Sequence, residues 1–425
     1  MATYSEIREA TLARTEATRE FREDLARHPE PSWKEHRTTE KIEAELASIG
    51  LSPIRGSRGT GVIAEVGPKD GQVTVLSADI DALKLPDKRN VEYRSRNDGV
   101  HHGCGHDVTT AGLVGAAHVL KELDDRGELA NRVRFVFRPA EESGTGAAVM
   151  IQEDNVLEHA VAAYGLHCWP TIRIGQYGVR QGPTQYSAHR VELDLNGPGG
   201  HTARPEESEN PVEVGAHLIV GMLNGLRKLY ANVPESERPV LSFGRFSAGT
   251  VMNVIPDHGE GLATLRSPTM KTYRAAPKEL LKIADAVVLE NGYTGAKVNL
   301  IDLLPPVINT AEPEVRAILG AVAGEANVVL FEGSPGGDDF AFFGTGVPAK
   351  DGRKAIPGVD MTHYTQLGIV PVGMPLVDSR RKLHTPTFDV DRRAPVLAAA
   401  QFAALGATPV RPRERVGERA LLLAR

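Results

Sequence analysis

Apolar and polar positions change period several times along the chain, and each change marks an element. From Tyr4 to Arg27 the residues are rich in Glu, Arg and Ala at helical spacing, which predicts one amphipathic helix ended by Pro29 and Pro31. A second helix is expected from about His36 to Ser48, stopped at Gly50. Short apolar runs then alternate with helical ones. Strands are predicted at Val73 to Leu76, Val133 to Phe137 and Val161 to Leu166, with a helix from Ala111 to Leu123. Such alternation implies an α/β sheet with a strong parallel component.

Near Gly182-Pro183 the character shifts. From Ser187 to Asn196 apolar and polar residues alternate, with Val191, Leu193 and Leu195 on one face, as in a half-buried strand. Asn210-Pro211 has the chemistry of a helix start, an N-cap followed by proline. Val214, Leu218, Met222, Leu226 and Leu229 form the stripe of that helix. Strands at Pro239 to Phe246 and Gly261 to Arg266 and a helix from about Pro277 to Glu290 complete a small α+β unit, two helices on one sheet face. The α/β pattern then resumes: a helix from Glu312-Pro313, a strand at Val328 to Leu330 and a closing helix from Ala394 to Leu405. The expected plan is a discontinuous α/β domain, 1–184 with 298–425, interrupted by an α+β lid at 185–297. The segment Gly344 to Leu383, rich in Pro and Gly, reads as a long and therefore functional loop.

Bulk properties narrow the function class. A chain of 425 residues with 41% hydrophobic and 24% charged residues suits a globular protein of two domains. A net charge of -6 argues against nucleic acid as a partner. The basic residues Arg411, Arg413, Arg415 and Arg419 read as a solvated tail. Only Cys104 and Cys168 are present, which excludes a disulfide scaffold and points to a reducing compartment. With no signal-peptide pattern at the start and no apolar run of about 20 residues, the expected location is the cytoplasm.

Candidate chemistry begins at His102-Gly103-Cys104-Gly105-His106-Asp107. Cys104 and His106, two apart between glycines, can turn to one point as metal ligands must, with Asp107 beside the imidazole as a supporting carboxylate. Glu141-Glu142 follow a strand, where one carboxylate can bind a metal while its neighbour reaches water. His167 is expected to end a strand, and Asp79 and Asp81 follow another. His384 lies in Leu383-His384-Thr385-Pro386. Taken singly, each is more often a structural residue or a solvated loop acid. Their shared position at strand ends, where α/β proteins place ligands, raises their weight. The turn Gly197-Pro198-Gly199-Gly200-His201 lacks a following Gly-Lys-Ser/Thr, so it is no phosphate loop, and no Gly-x-Ser-x-Gly elbow is present.

In this order and spacing, Ala78-Asp79-Ile80-Asp81, Cys104-Gly105-His106-Asp107, Pro139-Ala140-Glu141-Glu142, Gly165-Leu166-His167, Gly199-Gly200-His201, Asn253-Val254-Ile255-Pro256, Asp338-Asp339-Phe340 and His384-Thr385-Pro386 resemble the M20 metallopeptidase family. The likeness is to its amidohydrolase branch of hippurate, N-acyl-amino-acid and auxin-conjugate hydrolases, from about Arg22 to about Asp389. The resemblance implies a zinc-peptidase-like catalytic domain with a lid that also dimerises. It implies two divalent ions on Cys104, His106, Glu142, His167 and His384, zinc first, with manganese, cobalt or nickel as alternatives. Glu141 is implied as general base, Asp81 as a supporting carboxylate, His201 as an oxyanion donor, and Asn253 and Arg266 as substrate contacts. The implied substrate is an N-acyl amino acid and the implied assembly a homodimer. Rival readings are a dipeptidase or aminoacylase of the wider family, a non-catalytic metal-binding protein, or a redox role for Cys104. The sequence departs from the family pattern at Ser77, Thr109, Arg138 and Asp338, where arginine, histidine, glutamine and glutamate are usual.

Overall fold

The computed structural model describes residues 2–349, 352–376 and 382–410; the basic residues from Arg411 to Arg419 and part of the expected 344–383 loop lie outside them. Two compact units emerge. The first comprises Met1–Gly182, Asn309–Glu332 and Phe342–Arg425; the second comprises Pro183–Ile308 and Gly333–Ala341. The second therefore runs past the expected boundary at 297. Its sheet needs the strand Ala296–Leu304, which pairs antiparallel with Ala188–Asn196.

The first unit is built on an eight-stranded sheet in the order Ile54–Arg55, Val62–Val66, Arg132–Arg138, Val73–Asp79, Ala160–Arg173, Met361–Val370, Tyr177–Val179, Val328–Leu330. Its centre is parallel: Val73–Asp79 lies between Arg132–Arg138 and Ala160–Arg173, and Met361–Val370 adds beyond. Every residue of Val73–Asp79 and of Met361–Val370 is buried, as strands covered on both faces require. The helix His106–Asp125 packs on this sheet through Val108, Ala111, Leu113 and Leu120, and Ala394–Ala407 lies against it through Ala398 and Phe402.

Three expectations need correction. The helix over Tyr4 to Arg27 is two, Tyr4–Ala13 and Thr15–Arg27, split where the Arg14 N–H turns to the Thr11 carbonyl at 3.1 Å. The 344–383 loop contains the buried strand Met361–Val370. Pro277 lies inside the helix Met270–Glu290, which starts at a capping box between Thr269 and Thr272.

In the second unit, strands Val240–Ala248, His258–Arg266, Ala188–Asn196 and Ala296–Leu304 form an antiparallel sheet in that order. Helices Pro211–Leu229 and Met270–Glu290 bury Val214, Leu218, Met222, Leu226, Ala276 and Leu280 against Val191, Leu193, Leu195, Ala263 and Leu265. Asn210 caps the first helix by accepting from the Val212 N–H at 3.1 Å.

The pairing of His106–Asp125 with Ala394–Ala407 depends on a missing side chain. A Cβ at Gly112 would stand 2.4 Å from the Ala398 Cβ. Gly112→Val should therefore lower the free energy of unfolding by about 1–3 kcal/mol, read as a shift of the urea midpoint, through overpacking at a contact that cannot relax sideways.

Candidate metal centre

Parallel strands bring their carboxyl ends to one edge of the sheet, and the candidate site residues Asp81, Glu141 and Glu142 follow two of those ends. Val73–Asp79 runs on to Asp81, with the Ile80 N–H bonded to the Arg138 carbonyl at 3.0 Å. Arg132–Arg138 runs into Pro139 and then Ala140, whose φ of 55° is left-handed and turns the chain into Glu141-Glu142. His167 lies inside the long strand Ala160–Arg173, opposite Gln366, and does not end it as expected. Cys104 precedes the helix His106–Asp125, which begins at Gly105 with φ of 89°. Any side chain at Gly105 would also meet Cys168, 2.9 Å from its position. His384, itself left-handed at φ 59°, is tied to this loop by its N–H to the Gly103 carbonyl at 2.8 Å.

These residues form three overlapping groups whose donor atoms lie within 4.8 Å of one another: Cys104, His106 and His167; Cys104, Glu142 and His384; His106, Glu141 and Glu142. Cys104 belongs to two of them. Its Sγ is 3.3 Å from His167 Nε2, and Glu142 Oε2 is 3.7 Å from His384 Nε2. The tautomers follow from the partners. His106 Nδ1 lies 2.9 Å from the Asp81 carbonyl and His167 Nδ1 lies 2.7 Å from the Cys168 carbonyl. A carbonyl only accepts, so both Nδ1 atoms carry hydrogen and both Nε2 atoms are left to bind a cation. His106 Nε2 and Glu142 Oε1 are buried without a hydrogen bond. Buried polar atoms rarely stand so, and two of them within a cluster of further donor atoms fit a site for a divalent ion. A thiolate, imidazoles and carboxylates are the donor set of zinc and related divalent metals.

The protonation of the groups points the same way. Burial works against charge on His106, but its hydrogen bond to Asp81 and the charges of Asp79 and Glu142 overcome that and raise its pKa strongly. Burial raises Glu142 above the usual carboxylate range, with His106 opposing. Asp81 is held low despite burial, first by its hydrogen bond to His106. Its Oδ2 accepts from Ser32 Oγ at 2.7 Å and from the Glu142 N–H at 3.0 Å. Asp81 thus orients one candidate ligand and the backbone of another. Burial pushes the Cys168 thiol far up, so it stays neutral beside the Gly105 carbonyl.

Asp107, expected to support the adjacent imidazole, lies elsewhere. Successive helical side chains diverge by about 100°, and the Asp107 carboxylate meets Arg22 Nε at 2.6 Å in a buried pair. A second buried pair joins Arg138 to Asp79, with Arg138 Nη1 3.4 Å from Ser77 Oγ. Of the four positions that depart from the expected family pattern, Ser77 and Arg138 are thus in contact. Thr109 Oγ1 donates to the His106 carbonyl at 3.1 Å.

His201, Asn253 and Arg266 belong to the second unit. His201 pairs with Val254 across a short ribbon, so Asn253 is near it, and both are exposed. His201 Nδ1 accepts from the Ala203 N–H at 3.1 Å. Arg266 ends the strand His258–Arg266, and burial lowers its pKa. Two residues given no chemical role in the sequence reading enter here: Arg22, paired with Asp107, and Glu35, which accepts from the Trp33 N–H nearby and from the Ala140 N–H 105 residues away.

The description of peptidase family M20/M25/M40 matches residues 75–366. N-acetylcysteine deacetylase of Bacillus subtilis (strain 168) is 33% identical over 396 residues, 91% of this chain and 94% of that protein. N-acyl-L-amino acid amidohydrolase of Geobacillus stearothermophilus is 30% identical over 273 residues, 64% of this chain and 72% of its own. A Bacillus subtilis crystal structure described as a dinuclear metal-binding peptidase of the M20 family matches with a TM-score of 0.75 at 31% identity, over 93% of this chain and 98% of that one. The chain belongs to peptidase family M20/M25/M40 and is a metal-dependent hydrolase with a site for two divalent ions. The α/β fold expected from the motifs is the fold found. No helix among the described residues is long and apolar enough to cross a membrane.

Asp81→Asn weakens the hydrogen-bonded support of His106, so metal affinity should fall about 10–100-fold, measured by competition with a chromophoric chelator. Because His106 holds its proton tightly in the metal-free site, apparent affinity should also decline as pH falls, the proton and the ion competing for Nε2. An affinity independent of pH would refute that competition.

Proposed function

We propose that this chain hydrolyses the amide bond of N-acyl amino acids, releasing a carboxylic acid and the free amino acid. The observation that carries the reading is the pair Glu141-Glu142 at one strand end. Glu142 faces His384, while Glu141 Oε2 lies 3.8 Å from His106 Nε2, so a candidate ligand and a second carboxylate stand side by side. The names of the Bacillus and Geobacillus relatives support the substrate class.

Cys104, His106, Glu142, His167 and His384 would hold two divalent ions. Bound there, the ions supply Lewis acidity, which makes water a nucleophile near neutral pH and polarises a carbonyl. Glu141 takes the proton of the attacking water and returns it to the leaving nitrogen, base first and acid afterwards. His201 is the proposed donor to the developing oxyanion. Arg266 is the proposed partner of the substrate carboxylate, and Asn253 a further contact. The thiolate favours zinc among the candidate metals. Two free, buried cysteines suit a reducing cytoplasm. A homodimer formed through the second unit completes the proposal.

Glu141→Gln should retain about two bound ions per chain, counted by elemental analysis, while kcat falls about 10²–10⁴-fold. The substrate test is a panel of acetyl-, benzoyl- and indoleacetyl-amino acids and dipeptides, run with and without chelator. Turnover confined to dipeptides would replace the N-acyl reading, and turnover indifferent to chelator would remove the metal.

A further inference from the structure

Five non-glycine residues among those described have left-handed backbone, and two of them, Trp33 at φ 62° and Ala140 at φ 55°, share one anchor. In that region the Cβ crowds the following carbonyl, so an L residue stays there only where its surroundings hold it. The holder is a single oxygen. Glu35 Oε1 accepts from the Ala140 N–H at 2.9 Å and from the Trp33 N–H at 3.0 Å. Glu35 is fully buried, and its Oε2 has no hydrogen bond. Burial and the charge of Asp81 raise its pKa to about 7. A carboxyl kept in such a place without full hydrogen bonding is costly, and no step of the reaction uses it.

The residues around Glu35 join the same two places. Ser32 Oγ donates to Asp81 Oδ2, which also receives the Glu142 N–H. Trp33 Nε1 donates to Thr145 Oγ1 at 3.0 Å, and Ser143 Oγ, 2.7 Å from Thr145 Oγ1, donates to the Ala140 carbonyl at 3.0 Å. The segment is itself pinned, because the Glu30 carboxylate accepts from the Arg37 and Thr38 N–H groups at 3.0 and 2.8 Å. Ala140 is the last residue before Glu141, so its φ sets the direction in which the base leaves the sheet.

We propose that Glu35 is a positioning residue that aims Glu141: its carboxyl locks Trp33 and Ala140 in left-handed backbone, and Pro31–Glu35 braces the turn that carries base and ligand. The aiming rests on Glu141 being the base; the bracing does not. Glu35→Ala removes the shared acceptor, whereas Glu35→Gln keeps a carbonyl oxygen for both N–H groups. Hydrogen exchange of peptides covering 138–146, bound metal, kcat and KM are measured on the full-length, metal-loaded protein. In Glu35→Ala, exchange over 138–146 should rise about tenfold while peptides of the strand Met361–Val370 stay protected. The same variant should lose about a hundredfold in kcat, with KM within about threefold and the ion count unchanged, as a misaimed base requires. Glu35→Gln should stay within about threefold of the parent in both readouts. Unchanged exchange in Glu35→Ala, or equal damage in Glu35→Gln, would overturn the brace; raised exchange with parental kcat would overturn the aiming. If Glu35→Ala does not fold, Glu35→Gln alone decides, loss of protection or of kcat counting against the proposal. If the parent turns over no amide in the panel, the base reading fails by itself, and exchange still decides the brace.

Discussion

Crowded ionisable groups at one edge of the large sheet are the constraint around which the catalytic unit is arranged. Asp81, Glu141, Glu142 and Cys104 gather there, and His106, His167 and His384 stand between them. Carboxylates in so little water resist ionisation, and imidazoles beside carboxylates resist losing their protons. Glu142 and His106 are accordingly both shifted upward, each toward its protonated form. The other charges nearby are already matched. Asp79 has Arg138, and Asp107 has Arg22, both in buried pairs. The central group brings together the donor set that divalent cations take.

The sheet makes this concentration possible because its central strands run the same way. One strand end delivers Glu141 and Glu142, a neighbouring strand delivers His167, and the helix His106–Asp125 delivers His106 from a start that only glycine at position 105 can form against Cys168. Support comes from behind as well. Ser32 and Glu35, from a segment outside the sheet, hold the carboxylate and the backbone on which the donors depend. A site of this kind is held by hydrogen bonds to main chain as much as by its own side chains.

Much of this was legible from the chain. Short apolar runs located the central strands, and the order of the motifs indicated the family and the candidate ligands. The strand Met361–Val370 escaped because it carries Thr362, His363, Thr365 and Gln366, all buried and polar, so its pattern is neither apolar nor alternating. The start of Met270–Glu290 escaped because Pro277 resembles a first helical residue, while the true cap is a pair of threonines. Asp107 was misplaced because adjacency in sequence is divergence on a helix. Glu35 left no signal at all: it precedes a helix like many solvated acids, and its partner Ala140 lies 105 residues away.

The strand order also governs when the catalytic unit can be completed. Ala160–Arg173 has its outer neighbour in Met361–Val370, and the whole second unit is encoded between them. While the chain is being made, that buried strand has one edge without a partner until residue 370 is available, whereas the second unit's four strands and two helices follow one another closely from Ala188 to Leu304. Ordering the metal ligands is accordingly a late event in synthesis: His167 sits on the waiting strand, and His384 is added last of all.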